Sequence, residues 1–139
     1  MRVCVGAAFS KNLKVMRFGD NMRNVAVTEG DKIEIQKVLG WHVNTWPVGQ
    51  LVDYINEVSD EQVDALIEEY KTKYEFNTDN LDAVKYQAKE EIAMKRLLKE
   101  EGCSAFSNTF EDLYGMEQLP GLATQRLMEQ GYGYGGEGD

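Results

Sequence analysis

Four short runs rich in β-branched, aromatic or alternating residues punctuate the chain: "LKVMRF" at 13–18, "WHVNTW" at 41–46, "CSAFSNTF" at 103–110 and "YGYG" at 132–135. Stretches of helical character separate them, and this alternation constrains the fold more than any other feature. Strands alternating with helices make crossover units that lay the strands parallel in one sheet, with helices on its faces. The expected class is α/β, a Rossmann-like or flavodoxin-like layered domain with a mostly parallel sheet flanked by helices. In such sheets ligands bind outside the carboxyl ends of the strands. Here those ends are "GDNM", "PVGQ", "TFEDL" and "GEGD".

Local signals place the helices. Ile33, Ile35 and Val38 fit either a helical or an extended period, but Asp31 as a start and Gly40 as a stop favour a helix over 31–39. Pro47 ends the second strand, and "VGQLVDYINEV" follows as a helix. Ser59 and Gln62 form a capping-box pair with Asp60 and Glu61 in the first turn. Val63, Leu66, Ile67, Tyr70 and Tyr74 then recur at three- and four-residue steps, the mark of one buried face. A longer helix is expected from about 79 to 101, closed by Gly102. Leu81, Val84, Ala88 and Ile92 line one side of it, and Tyr86, Ala93 and Leu97 another, so it is expected to lie between neighbours, another subunit included. "LPGLATQRLMEQG" gives the last helix, with Leu122, Leu127 and Met128 as core.

The 139 residues suffice for one domain with a real core. A formal charge of -9 with scattered Lys and Arg argues against nucleic acid, whose phosphates require clustered cations. Cys4 and Cys103 are far apart, with neither metal spacing nor a disulfide framework, which fits a reducing cytoplasmic compartment. "MRVCVGAAF" is too short an apolar run to span a membrane and lacks a signal-peptide cleavage pattern.

The close "GYGYGGEGD" matches G-x-G-x-x-G at Gly131, Gly133 and Gly136. A dinucleotide fingerprint needs a strand before it, a helix opening on its last glycine and an acid about 20 residues on. Here a helix precedes the glycines, and the nucleotide reading is disfavoured. A plain flexible tail is the bland alternative. Against it stand Glu137 and Asp139, because glycine lets backbone approach a ligand and a carboxylate there can reach a cation or a proton. His42 lies inside an apolar strand, where a structural imidazole is the expectation. Neither cysteine has an activating partner, and G-x-S-x-G, P-loop and H-E-x-x-H patterns do not occur. Carboxylate chemistry remains, led by Glu137, with Asp139, Glu111, Asp112 and Asp20 behind it. Carboxylates suit hard divalent ions and can perform acid–base work.

"LKVMRFGDNMRNVAVTEGDK", "VNTWPVGQLV" and "FSNTFEDLYGMEQLPGLATQRLMEQGYGYGGEGD" closely resemble the central part of bacterial L-arabinose isomerases. The resemblance runs from about Leu13 to Asp139. Residues 1–12 match poorly, as a lead-in that in the family comes out of a helix, and 131–139 match an active-site loop. What the resemblance implies is an aldose–ketose isomerase interconverting L-arabinose and L-ribulose, and D-galactose and D-tagatose. The family uses a divalent metal, usually Mn2+, and is usually hexameric, with active sites at subunit boundaries. By motif, Glu137 corresponds to the first of two metal-site glutamates, a ligand and acid/base partner, while Met22 and Phe110 correspond to walls of the sugar pocket. The second glutamate and both metal histidines have no counterpart in this sequence, and His42 matches neither histidine. The expectation is therefore one central-domain piece, inactive alone. The alternative is a non-enzymatic α/β module that binds a small ligand or packs against partner chains.

Overall fold

The expected alternation is realised in the computed structural model, which describes residues 1–138. In chain order it holds α1 (Arg2–Ser10), β1 (Lys14–Phe18), a 3-10 turn (Ala26–Thr28), α2 (Lys32–Leu39), β2 (His42–Trp46), α3 (Val48–Asn56), α4 (Asp60–Lys73), α5 (Leu81–Glu100), β3 (Ala105–Asn108), α6 (Gly121–Glu129) and β4 (Gly133–Gly135). The strands form an all-parallel sheet in the order β2-β1-β3-β4. From β1 the chain crosses outward to β2, then back past β1 to β3 and β4. The direction therefore reverses between β1 and β3, the place where such sheets open a crevice.

Local chemistry sets the helix boundaries. The Asp31 carboxylate accepts hydrogen bonds from the Ile33 and Glu34 amides, resolving the ambiguous period of 31–39 in favour of helix α2. Gly40 ends α2 in the left-handed region at φ 76°, and a Cβ there would collide with the Lys11 carbonyl. Ser59 and Gln62 form the expected reciprocal box at α4, and Asn80 caps α5 through the Ala83 amide.

Sheet register places Met16 beside Phe106 and Phe18 beside Asn108 on one face. Phe18 and Phe106 meet edge to face with centroids 6.4 Å apart. Leu51 and Ile55 of α3, Val63 and Ile67 of α4, Met94, Leu97 and Leu98 of α5, and Leu127 of α6 complete this core. Each such side chain contributes about 1.5–3 kcal/mol when fully buried. Helix α5 packs on α3, α4 and α6, as its two apolar sides predicted. Three residues expected in the core stand outside it, among them Met128, 42% exposed on α6. Tyr74 is 40% exposed because α4 ends at Lys73, so the chain turns extended before the stripe can continue. Leu81 is 52% exposed because it begins α5, beyond the packed layer.

On the opposite face, Lys32 of α2 donates to Thr45 Oγ1 of β2 at 2.9 Å. Neither α1 nor α2 buries a residue, and Val3, Val5, Phe9, Ile33 and Val38 are exposed.

Charged groups also enter the interior. Arg126 on α6, 3% exposed, donates through Nε to Glu91 Oε2 at 2.7 Å and through Nη2 to Glu69 Oε1 at 2.7 Å. Tyr70 donates to the same Glu91 oxygen at 2.6 Å, and Gln130 donates to the other at 2.9 Å. The Arg126 guanidinium also lies over the Tyr70 ring. Burial works against the Arg126 charge, but the hydrogen bonds it donates to Glu91, Tyr74 and Glu69 outweigh it and hold the group firmly protonated. Glu91 thus has each oxygen matched, the condition under which a buried charge is tolerated.

Glu90 is different. Its side chain is fully buried, and neither carboxylate oxygen has a hydrogen-bond partner among the described residues. Burial pushes its pKa from an ordinary 4.5 up to about 8. Between these values the folded chain keeps a proton that the unfolded chain has released, so stability falls as pH rises. A tenfold change in proton affinity is worth about 1.4 kcal/mol, so the loss across that interval is a few kcal/mol. Glu90→Met removes the group while keeping an unbranched chain of similar length. Thermal melts should show the variant more stable at pH 8, with a flatter profile from pH 5 to 8; an unchanged slope would refute the assignment.

Candidate functional site

The site is assembled at the carboxyl ends of the strands. Gly19, at φ 76°, turns the chain out of β1, and Asp112 from the loop after β3 occupies the space a side chain would need. The Asp20 amide donates to Asp112 Oδ2 at 2.8 Å and the Arg23 amide to Glu111 Oε2 at 2.9 Å. The Arg23 side chain adds a bond to the Glu111 carbonyl at 3.2 Å. Asp20 itself accepts from the Asn21 amide and from Arg17. Two of the acids singled out in the sequence, Glu111 and Asp112, therefore clasp the loop after β3 to the loop after β1, while the Asp20 carboxylate pairs within its own loop and strand. One oxygen of each accepts from a backbone amide.

With the reversal point clasped, the cavity opens one strand over, between the ends of β3 and β4 and the flank of α6. Its volume is about 390 Å3, within the range of roughly 300–1,000 Å3 usual for small-molecule sites. Phe110, Leu113, Leu119, Pro120 and Met128 give it apolar walls, and Asn108, Thr124, Gln125, Tyr134 and Glu137 supply polar groups. Apolar walls with a few convergent polar groups suit an amphiphilic ligand, whose C–H faces and hydroxyls need both.

Glu137 and Phe110, chosen from the sequence, line this one cavity. Glu137 is exposed and stands at φ 66°, the non-glycine residue with positive φ among those described. A side chain in that region is strained, and such strain concentrates at functional sites. The cause lies in the next residue. Gly138, at φ 84°, rests on the loop after β1 so closely that a Cβ would come within 2.8 Å of Asn21 Cα. The glycines on either side thus seat the turn against its neighbours and lift Glu137 to the cavity. Asp139, the second acid named with Glu137, lies outside the described residues.

Met22 occupies a half-buried position on the loop after β1, and its carbonyl accepts from the Asn21 side chain. It is adjacent in sequence to the Asp20–Asn21 backbone on which Gly138 rests, but it does not line the cavity.

The sequence matches the L-arabinose isomerase central domain over residues 14–139. L-arabinose isomerase 2 of Bacillus licheniformis is 57% identical over 145 residues, covering 100% of this chain and 31% of that protein. L-arabinose isomerase of Shouchella clausii is 59% identical over 131 residues, covering 94% and 27%. For Thermotoga petrophila L-arabinose isomerase the identity is 52% over 141 residues, covering 100% and 28%.

The chain belongs to the L-arabinose isomerase central-domain family. It spans about a third of the length of the curated relatives it matches.

The described residues do not by themselves form a cation site. No three His, Cys, Asp or Glu side chains come together among them in a way that could hold a metal ion. Glu137 offers one carboxylate, and hard cations take about six ligands, several from protein. His42 begins β2 at the amino end of the sheet, away from the cavity. Cys103 is buried, and burial raises its thiol pKa, which removes it as a nucleophile. No helix among the described residues is long and apolar enough to cross a membrane.

The four other polar liners, Asn108, Thr124, Gln125 and Tyr134, were not singled out in the sequence. Asn108 is the last residue of β3 and shares a sheet face with Phe18, while Tyr134 shares that face with Phe106. Strand-end position and two-residue alternation could have found both. Thr124 and Gln125 follow from the first turns of α6, which border the cavity.

Proposed function

We propose that this chain forms part of a cytoplasmic aldose–ketose isomerase that interconverts L-arabinose and L-ribulose, with D-galactose and D-tagatose as a second pair. One observation carries the reading: in a member of this family, Glu137 and Phe110 line the same cavity at the strand ends. In it, Glu137 serves as acid/base partner, taking the proton from C2 of the aldose and returning it to C1 by way of an enediol, while a second proton passes from the C2 hydroxyl to the C1 oxygen. Phe110 gives an apolar wall for the sugar's C–H face, and Met22, outside this cavity, adjoins the Asp20–Asn21 backbone on which the Glu137 turn rests. Glu137 is also one ligand of a Mn2+ ion whose other ligands come from outside the described residues. When bound, that ion supplies polarisation of the sugar's carbonyl and hydroxyl oxygens.

The exposed apolar side chains of α1 and α2 favour extensive contact with further protein, consistent with a hexamer. They equally suit the second reading, an interaction module with no chemistry of its own. A graft separates the two. Residues 1–139 replace the matching segment of Bacillus licheniformis L-arabinose isomerase 2, and conversion of L-arabinose to L-ribulose is assayed with Mn2+. Turnover near that of the parent supports the isomerase. A graft that folds and assembles but does not turn over leaves the interaction module.

A further inference from the structure

Tyr134 and Asn108 face the same side of the sheet, and the tyrosine hydroxyl donates to Asn108 Oδ1 at 2.9 Å. The phenol ring is held from below by Phe106, with centroids 5.1 Å apart. Above it passes the turn that carries Glu137, since the atom nearest a Cβ built on Gly136 is the Tyr134 hydroxyl oxygen at 3.8 Å. Burial raises the phenol's pKa, so it stays a donor through the neutral range.

A hydroxyl has one hydrogen to give, and here it goes to the carboxamide oxygen. That bond fixes the rotation of the Asn108 amide and leaves the nitrogen with two N–H groups. The residue is only 7% exposed. Yet the side chain lines the cavity together with Phe110, Thr124 and Glu137. An amide whose oxygen is already engaged can offer its N–H groups to an acceptor on a ligand in that cavity.

Resting on the isomerase reading above, we propose that Asn108 is a substrate-binding residue that donates to a sugar hydroxyl oxygen, and that Tyr134 is a positioning residue acting through Asn108 alone. The pair fixes which hydroxyl array can sit beside Glu137. The sugar's C–H face lies on Phe110 while its oxygens turn towards the strand ends. Sugars whose hydroxyl at that position has the opposite configuration lose the bond.

The test uses the graft described above and reads kcat and KM for L-arabinose separately. Tyr134→Phe keeps the ring on Phe106 and removes only the hydroxyl; KM is expected to rise about two- to tenfold, with kcat nearly unchanged. Asn108→Asp keeps an acceptor for Tyr134 but replaces both N–H donors; KM should rise by tenfold or more, further than in Tyr134→Phe. Combining Tyr134→Phe with Asn108→Ala should be no worse than Asn108→Ala alone, because the tyrosine acts through the amide. Thermal melts of each variant separate folding defects from binding defects, and Asn108→Ser replaces any variant that fails to fold. Multiplying effects in the double variant, or an unchanged KM in Asn108→Asp, would overturn this inference and leave the isomerase reading intact. An unmodified graft that folds without turnover overturns both.

Discussion

Arg126→Ala is expected to be the most destabilising single substitution in this chain. It leaves Glu91, 3% exposed at its side chain, with its principal counter-charge gone and only Tyr70 and Gln130 as donors. Removing one partner of a buried pair costs about 3–5 kcal/mol, because the remaining charge cannot regain water. For a domain of this size the melting temperature should drop by roughly 10 °C or more. Arg126→Met tests the cause, since it fills part of the volume and still strands the carboxylate. It should remain strongly destabilising, whereas Arg126→Met with Glu91→Leu should recover much of the loss. Recovery by Met alone would show that packing, and not charge, is what Arg126 provides. The effect also reaches the site: α6 presents Arg126 to α5 and α4 on one side and Thr124, Gln125 and Met128 to the cavity on the other.

That network shows where the sequence could and could not be read. Strand and helix positions follow from local signals: Asp31, Ser59 with Gln62, Gly40 and Gly102 each stop or start an element through bonds within a few residues. The parallel sheet follows from alternation, and the exposed carboxylate on the last loop from its setting among glycines. Glu90, Glu91 and Arg126 were harder, because charged residues are surface residues by default and only a partner distant in sequence reverses that. Glu91 lies 35 residues from Arg126, and no local pattern joins them. A trace does exist, since Gln87, Glu91, Met94 and Leu98 share one helical stripe and all four are buried. The acids of the clasp show the same dependence on distant partners. Glu111 and Asp112 looked like site candidates by residue type, but their role depends on which backbone amides the fold brings to them.

Glu137 allows stability and chemistry to be pulled apart. Its side chain is exposed and makes no hydrogen bond or ion pair among the described residues, so Glu137→Gln should leave the melting temperature of the chain within about 1 °C, as surface changes usually do. Glu137→Gly should go further and stabilise it, because glycine adopts φ 66° without the penalty a Cβ incurs, on the order of 1 kcal/mol. In the grafted isomerase both substitutions should lower kcat by roughly 10²–10⁴-fold, the usual loss when a positioned acid/base group is removed. The two readouts then move in opposite directions in one variant. A residue whose removal strengthens the fold and abolishes turnover is held in strain for its chemistry. If Glu137→Gly instead weakens the fold, the left-handed turn has a structural purpose and the carboxylate's place at the cavity is incidental. If Glu137→Gln keeps full turnover, the acid/base role falls, and the isomerase reading must find its proton carrier elsewhere.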